Sequence, residues 1–158
     1  MHITTDRAPG GHARPFTDRA IHTPAPSDLS SSAMSAQPSE RLLPANRLTR
    51  ASDFVRVRGE GVAYRGRTCL LLVLTAAGET SRVGFIASKR GVGGAVQRNR
   101  ARRRLREIVR RRWSRVPPQG YLLVFIASRH TVAAPHQLLA TDVETLLAHA
   151  GALEPLPV

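Results

Sequence analysis

Residues 98–107 read Arg98-Asn99-Arg100-Ala101-Arg102-Arg103-Arg104-Leu105-Arg106-Glu107. Six of these ten side chains are arginine, yet the apolar positions keep a helical period. Ala101, Leu105, Ile108 and Val109 stand at i, i+4, i+7 and i+8, the stripe of a helix laid on a core. The arginines fall into rows off that stripe, with Asn99, Arg103, Arg106 and Arg110 in one row and Arg100, Arg104 and Arg111 in another. Like charges three and four residues apart repel and destabilise an isolated helix. The run therefore calls for a polyanion. The spacing predicts a helix as far as about Trp113, which reads as an apolar anchor at its end.

The helix is entered through Gly91-Val92-Gly93-Gly94. Two readings of this loop stand side by side. It is a tight strand-to-helix turn needing positive φ, or an anion-binding helix start flanked by Lys89, Arg90 and Arg98. It matches neither a Walker A loop nor G-x-G-x-x-G. Before it, Val62–Tyr64, Thr68–Thr75 and Arg82–Ala87 read as strands, the last two joined by a hairpin-like turn. Thr49 is placed to cap a short helix over about residues 50–58, with Phe54 and Val57 on one face and Gly59 stopping it. After the arginine helix, Pro117-Pro118 and Gly120 lead into a third apolar strand, Tyr121–Ala127. Pro135 opens a last helix, with Leu138, Leu139, Val143, Leu146 and Leu147 on its apolar face and an end near Gly151. This order predicts an α+β sandwich with no internal repeat.

The chain has 158 residues and a net charge of +13. The charge is concentrated: residues 41–115 carry 20 basic side chains against four acids, while both flanks are slightly acidic. All but one of the 24 basic residues are arginine, whose planar fork pairs with phosphate and stacks on bases. A high-GC genome would produce the same bias, so the clustering is the stronger signal for nucleic acid. From Lys89 to Arg115 only Glu107 interrupts 12 basic residues, whereas a merely solvated face mixes signs. Residues 1–40, rich in Pro, Ser, Thr, His and Ala, are expected to be disordered, and Met34 stands as an alternative start just ahead of the patterned region. Residues 41–151 form the expected domain and 152–158 a tail.

Cys69 stands alone, in an apolar strand, which excludes an internal disulfide and predicts a buried thiol. No apolar run reaches the ~18 residues of a membrane helix, and there is no secretory h-region. A cytoplasmic protein is expected. No His/Cys/Asp cluster has metal-ligand spacing, and four acids in the basic block are too few for a protein-held two-metal nuclease site. By spacing alone Phe54 reads as core rather than as a stacking platform. For Asn99, a cap and a contact to phosphate or base both remain open.

One family is similar to this pattern. The stretches Asn46-Arg47-Leu48, Asp53-Phe54-Val55-Arg56-Val57, Arg82-Val83-Gly84-Phe85, Ser88-Lys89-Arg90 and Gly93-Gly94-Ala95-Val96-Gln97-Arg98-Asn99-Arg100 resemble the protein subunit of bacterial ribonuclease P. The Arg-Asn-Arg element and the basic residues after it are the specific part, with arginine here where relatives have lysine. The resemblance implies a two-layer, ribosomal-protein-S5-domain-2-like α+β sandwich, with a four-stranded sheet, about three helices and a left-handed βαβ crossover. It further implies an accessory subunit of an RNA-dependent endoribonuclease that removes the 5′ leader from precursor tRNA. Catalysis and most of the Mg2+ would then belong to the RNA, with no catalytic residue, membrane or further protein partner for this chain.

Carried onto this sequence, Arg98, Asn99, Arg100, Arg102, Arg103 and Arg106 would face the catalytic RNA. Phe54 becomes a leader contact, which reverses its reading as core, with Tyr64, Lys89 and Arg90 as further candidates for the leader cleft. Such a block would replace part of the Mg2+ that two RNAs need to approach each other. Three rivals are an rRNA-binding protein, which would ignore a tRNA leader, a DNA reader, which needs a helix-turn-helix, and a self-sufficient nuclease, which needs clustered carboxylates.

Overall fold

Two continuous apolar runs decide which strands lie inside the sheet, because a strand covered on both faces cannot alternate with polar residues. The computed structural model describes residues 42–156. The segment expected to be disordered, residues 1–40, lies outside the described residues. The elements are α1 (Ala51–Glu60), β1 (Val62–Arg65), β2 (Cys69–Thr80), β3 (Arg82–Ile86), α2 (Ala95–Arg112), β4 (Gln119–Ala127), α3 (Arg129–Ala133) and α4 (His136–His149). Short 3-10 turns occupy Pro44–Asn46 and Trp113–Arg115. They form a four-stranded mixed sheet in the order β1-β2-β4-β3, with β3 and β4 parallel and the other pairs antiparallel.

The expected hairpin between the second and third strands does not form. Gly78, at φ +80, lies in the irregular end of β2, where the register shifts between Ala76 and Thr80. β4 inserts between β2 and β3, and Leu122, Leu123, Val124 and Phe125 are all fully buried. The most apolar strand thus gains neighbours on both sides, and α2 becomes the crossover of a parallel β3–α2–β4 unit. Edge strand β3 is partly covered by the chain at Arg47, which bridges Val83.

The period of two sorts the strands onto two faces. Leu71, Val73, Val83, Leu123 and Phe125 pack with Ala101, Leu105, Ile108 and Val109 of α2 and with Leu139, Val143, Leu146 and Leu147 of α4. Phe85 and Phe125 stack there at 6.0 Å between centroids. The opposite face holds Leu72, Ala76, Leu122 and Val124, and α1 alone lies over it, through Val57, with Leu48 beside it. The buried positions of α2 are the four that its sequence period selected.

Several boundaries differ from expectation. Arg50, not Thr49, precedes α1, without a side-chain cap, and the helix passes Gly59 to end at Gly61. A short extra helix, α3, is capped by Ser128 in a reciprocal box with Thr131. Leu138 is 40% exposed, and Ala140 takes its place in the core. The core also continues beyond residue 151: Ala152 is fully buried, and the Glu154 amide donates to the Arg115 carbonyl at 2.7 Å. Among the described residues no helix is long and apolar enough to cross a membrane.

Leu105 is wholly enclosed between α2 and the sheet. Leu105→Ala is expected to cost about 2–5 kcal/mol, the range for a buried leucine that leaves a cavity. Urea unfolding followed by circular dichroism measures it as a lower midpoint with an unchanged slope.

Candidate nucleic-acid interface

Because the apolar stripe of α2 faces the core, its arginines are driven to the flanks and outer face. There they divide into two populations. Towards the C-terminal end, Arg110 and Arg111 pair with Glu107 at 2.6 and 3.2 Å. Arg112 and, just beyond the helix, Arg115 pair with Glu144 of α4 at 3.1 and 3.0 Å. Arg104 turns inward and donates to the carbonyls of Thr131, Val132 and Ala134 at 2.6–2.8 Å, capping the end of α3. Arg102 donates to the Ala87 carbonyl at the end of β3 and to Oδ1 of Asn99. The Asn99 side chain is therefore engaged in orienting Arg102.

The other population has no such partners. Arg100 and Arg103 are exposed, and no carboxylate among the described residues pairs with them. With Val96, Asn99 and Arg104 they line a shallow concavity of about 600 Å³ along α2. Arg98 is half-buried, and its Nε is shielded from solvent without an acceptor. Arg106 is exposed and lies over the Phe85 ring, 5.8 Å from its centroid. So Arg100, Arg103 and Arg106 present charge outward, Arg98 stands half-buried beside them, and Arg102 and Arg104 serve as tethers. Gly93, at φ +130, adopts the left-handed backbone that the turn into α2 requires. Lys89 and Arg90 stand exposed just before it.

The second part of the site is the sheet face under α1. Ten residues of helix cannot cover four strands, so Leu70, Leu74, Ile86 and Ile126 stay half-buried there together with Phe54. Phe54 lies close against Gly84: a Cβ at that glycine would stand 2.6 Å from two ring carbons. An ion network steadies α1. Arg82 bridges Asp53 at 2.8 Å and Glu79 at 3.1 Å, and Glu79 also pairs with Arg56 at 2.7 Å. The Arg56 guanidinium holds the Glu79 carboxyl below its ordinary value.

Phe54 and Arg106 border one depression at the β3 edge, together with Arg47, Leu48, Gly84 and Phe85. The structure thus joins residues that the sequence assigned to two separate surfaces. Tyr64 is not among them. Opposite Leu71 in the β1–β2 ladder, it packs against the core under α2 and α4, on the other sheet face from Phe54. Arg65, by contrast, pairs with Leu70 and so lies on the Phe54 face. Sequence reasoning missed it because only the strand register reveals its side. Cys69 is buried, and burial pushes its thiol up to about 12.

The family profile for ribonuclease P matches residues 42–151. The chain belongs to the ribonuclease P protein family. Ribonuclease P protein components from Chloroflexus aurantiacus and Symbiobacterium thermophilum are 46% and 42% identical over 107 and 111 residues. These matches cover 67% and 70% of this chain and 78% and 95% of those proteins. The fold is that of the ribonuclease P protein from Staphylococcus aureus, at a TM-score of 0.60 and 22% identity over 69% of this chain and 98% of that one. The Thermotoga maritima protein is similar at 0.57 and 25%, over 65% and 96%.

Two tests separate the arginine populations. Arg104→Ala strands three carbonyls and is expected to lower stability by about 1–3 kcal/mol, whereas Arg103→Ala should stay within about 0.5 kcal/mol of the parent. Thermal unfolding of both variants measures this. The second test is Glu144, whose carboxyl the guanidiniums of Arg115 and Arg112 hold below its ordinary value of 4.5. A lowered carboxyl contributes stability above that ordinary value and loses it as the pH falls through the lowered one. Glu144→Gln should therefore be less stable at pH 7, by under about 1 kcal/mol for a partly exposed pair. The gap should close as the pH falls below 4.5, in melting curves recorded from pH 7 to pH 3.

Proposed function

We propose that this chain is the accessory subunit that, with a catalytic ribonuclease P RNA, removes the 5′ leader from precursor tRNA in the cytoplasm. The observation that carries this reading is the meeting of two unlike surfaces at the β3 edge. A carboxylate-free row of arginines on α2 adjoins a half-covered apolar sheet face bearing Phe54. In this reading Arg98, Arg100, Arg103 and Arg106 take phosphates of the RNA subunit. Phe54, above Gly84, offers its ring to an unstacked base of the single-stranded leader. Lys89 and Arg90 stand nearby in sequence, on the turn that follows β3.

The mechanism follows from charge. Two RNAs repel, and arginines placed between them supply countercharge that Mg2+ would otherwise provide. The Mg2+ belongs to the RNA in this reading. Among the described residues no group of three or more His, Cys, Asp or Glu converges to hold a metal ion, and no step is assigned to a protein-held cation. The leader contact favours precursor over product, since product lacks the strand that Phe54 would touch.

Reconstitution tests the proposal. Precursor tRNA is incubated with ribonuclease P RNA at low Mg2+, with and without this protein, and the protein alone serves as control. Cleavage only when RNA and protein are both present is the expected result. No rescue despite salt-sensitive RNA binding would demote the chain to a general RNA binder. Phe54→Ala should weaken binding of leader-bearing substrate by about 1–3 kcal/mol, the value of one base stack, and spare leaderless tRNA. If about four arginines reach phosphates, the slope of log K against log salt should be about −3 to −3.5, and Arg103→Ala should flatten it by under about one unit.

A further inference from the structure

Four elements meet at Thr68, in the turn between β1 and β2. The Asp142 carboxylate on α4 accepts from the Arg67 amide at 3.1 Å and from the Thr68 amide and hydroxyl at 2.8 and 2.6 Å. The Thr68 carbonyl in turn accepts from the hydroxyls of Ser128 and Thr131 at 2.9 and 2.6 Å, which ties the turn to the start of α3. Thr68 and Thr131 are buried. The β1–β2 turn already has its own closing bond, from the Gly66 amide to the Cys69 carbonyl. Asp142 adds three more from a residue about two helical turns into α4, and a side chain at Gly66 would run into that carboxylate.

What this lock holds still is a pair of cations. Arg65 and Arg67 flank Gly66, both exposed, and no carboxylate among the described residues pairs with either guanidinium. They stand on one wall of a concavity of about 340 Å³ whose lining includes Leu70 and Ile126 and whose other side is formed by Ser128 and His130. The register puts Arg65, Leu70, Ile126 and Ile86 in a single row across all four strands. The row is half-buried apolar surface with Arg65 at one end. Three strand spacings of about 4.8 Å separate its ends by roughly 14 Å. Apolar floor ending in the paired cations Arg65 and Arg67 suits single-stranded nucleic acid, whose bases cover the floor while its phosphates meet the cations.

We propose that Asp142 is a positioning residue, and that the turn it holds, with Arg65 and Arg67, is a second phosphate-binding edge for the leader strand. The inference rests on the leader reading given above. Because the turn lies across the sheet from β3, it engages nucleotides that only longer leaders possess. Asp142→Asn places an amide donor against at least one of the donors the carboxylate serves, so the turn is released while the bulk of the side chain is kept.

The test measures binding of precursor tRNAs with a graded series of leader lengths to the complex of full-length protein and ribonuclease P RNA. Wild-type affinity is expected to rise with leader length. Arg65→Ala/Arg67→Ala should lose the gain conferred by the longest leaders, about fivefold for each phosphate contact at 0.1 M salt, and match wild type on the shortest. Asp142→Asn should show the same length-selective loss, and should add none in the Arg65→Ala/Arg67→Ala background. Gly66→Ala, which displaces the carboxylate from the turn side, is the second variant and should reproduce that profile. Equal weakening on short and long leaders, or a loss that adds to that of the arginine variants, would overturn the positioning role and leave Asp142 as a folding residue. Full retention of length dependence in both lock variants would overturn it as well. If wild type itself shows no dependence on leader length, the leader reading falls instead.

Discussion

Everything in this molecule depends on one helix burying a narrow stripe. Ala101, Leu105, Ile108 and Val109 enter the core with no exposed surface, and that contact fixes the rotation of α2 against the sheet. Once the rotation is set, each arginine has a fixed direction. The long arginine stem lets a residue beside the stripe reach back to a carbonyl, as Arg104 does at the end of α3. A residue opposite the stripe can only point to solvent. The two acids that could quench the charge, Glu107 and Glu144, both serve the C-terminal half of the helix and its 3-10 extension. Charge is left uncompensated on the N-terminal half, next to β3.

The sheet repeats this asymmetry. One face is closed by α2 and α4, and its residues form the larger core. The other is covered by α1 alone, and a row of apolar side chains stays half-buried there. Such surface keeps apolar area partly in contact with water. The two asymmetries converge because β4 lies inside the sheet and leaves β3 at its edge, where Phe54 from one face and Arg106 from the other border the same depression. With a simple β2–β3 hairpin, that edge would belong to β4.

Rigidity comes from polar networks placed at the ends of the apolar layers. Arg82 and Glu79 pin α1 through Asp53 and Arg56, which steadies the helix that carries Phe54. Asp142 and Thr68 pin the opposite edge. Gly84 lets the Phe54 ring lie on the strand backbone itself. The first network ties α1 to the strands of the open sheet face, and the second ties the β1–β2 turn to α3 and α4.

Much of this was legible in the sequence alone. The period of α2, the burial of its four apolar residues, the apolar strands, the buried thiol at Cys69 and the concentration of positive charge all follow from local pattern, since burial selects periodicity. The motif around Arg98-Asn99-Arg100 identified the family. Tertiary structure decided the rest. Whether β2 pairs with β3 or β4 depends on contacts distant in the chain. Which arginines are tethers depends on the carbonyls and carboxylates that folding brings within reach, and so Arg102 and Arg104 looked like their neighbours. Tyr64 and Arg65 are adjacent residues of one strand, and a pleated strand sends adjacent side chains to opposite faces. Only the register with Leu71 and Leu70 reveals that Arg65, rather than Tyr64, shares a face with Phe54.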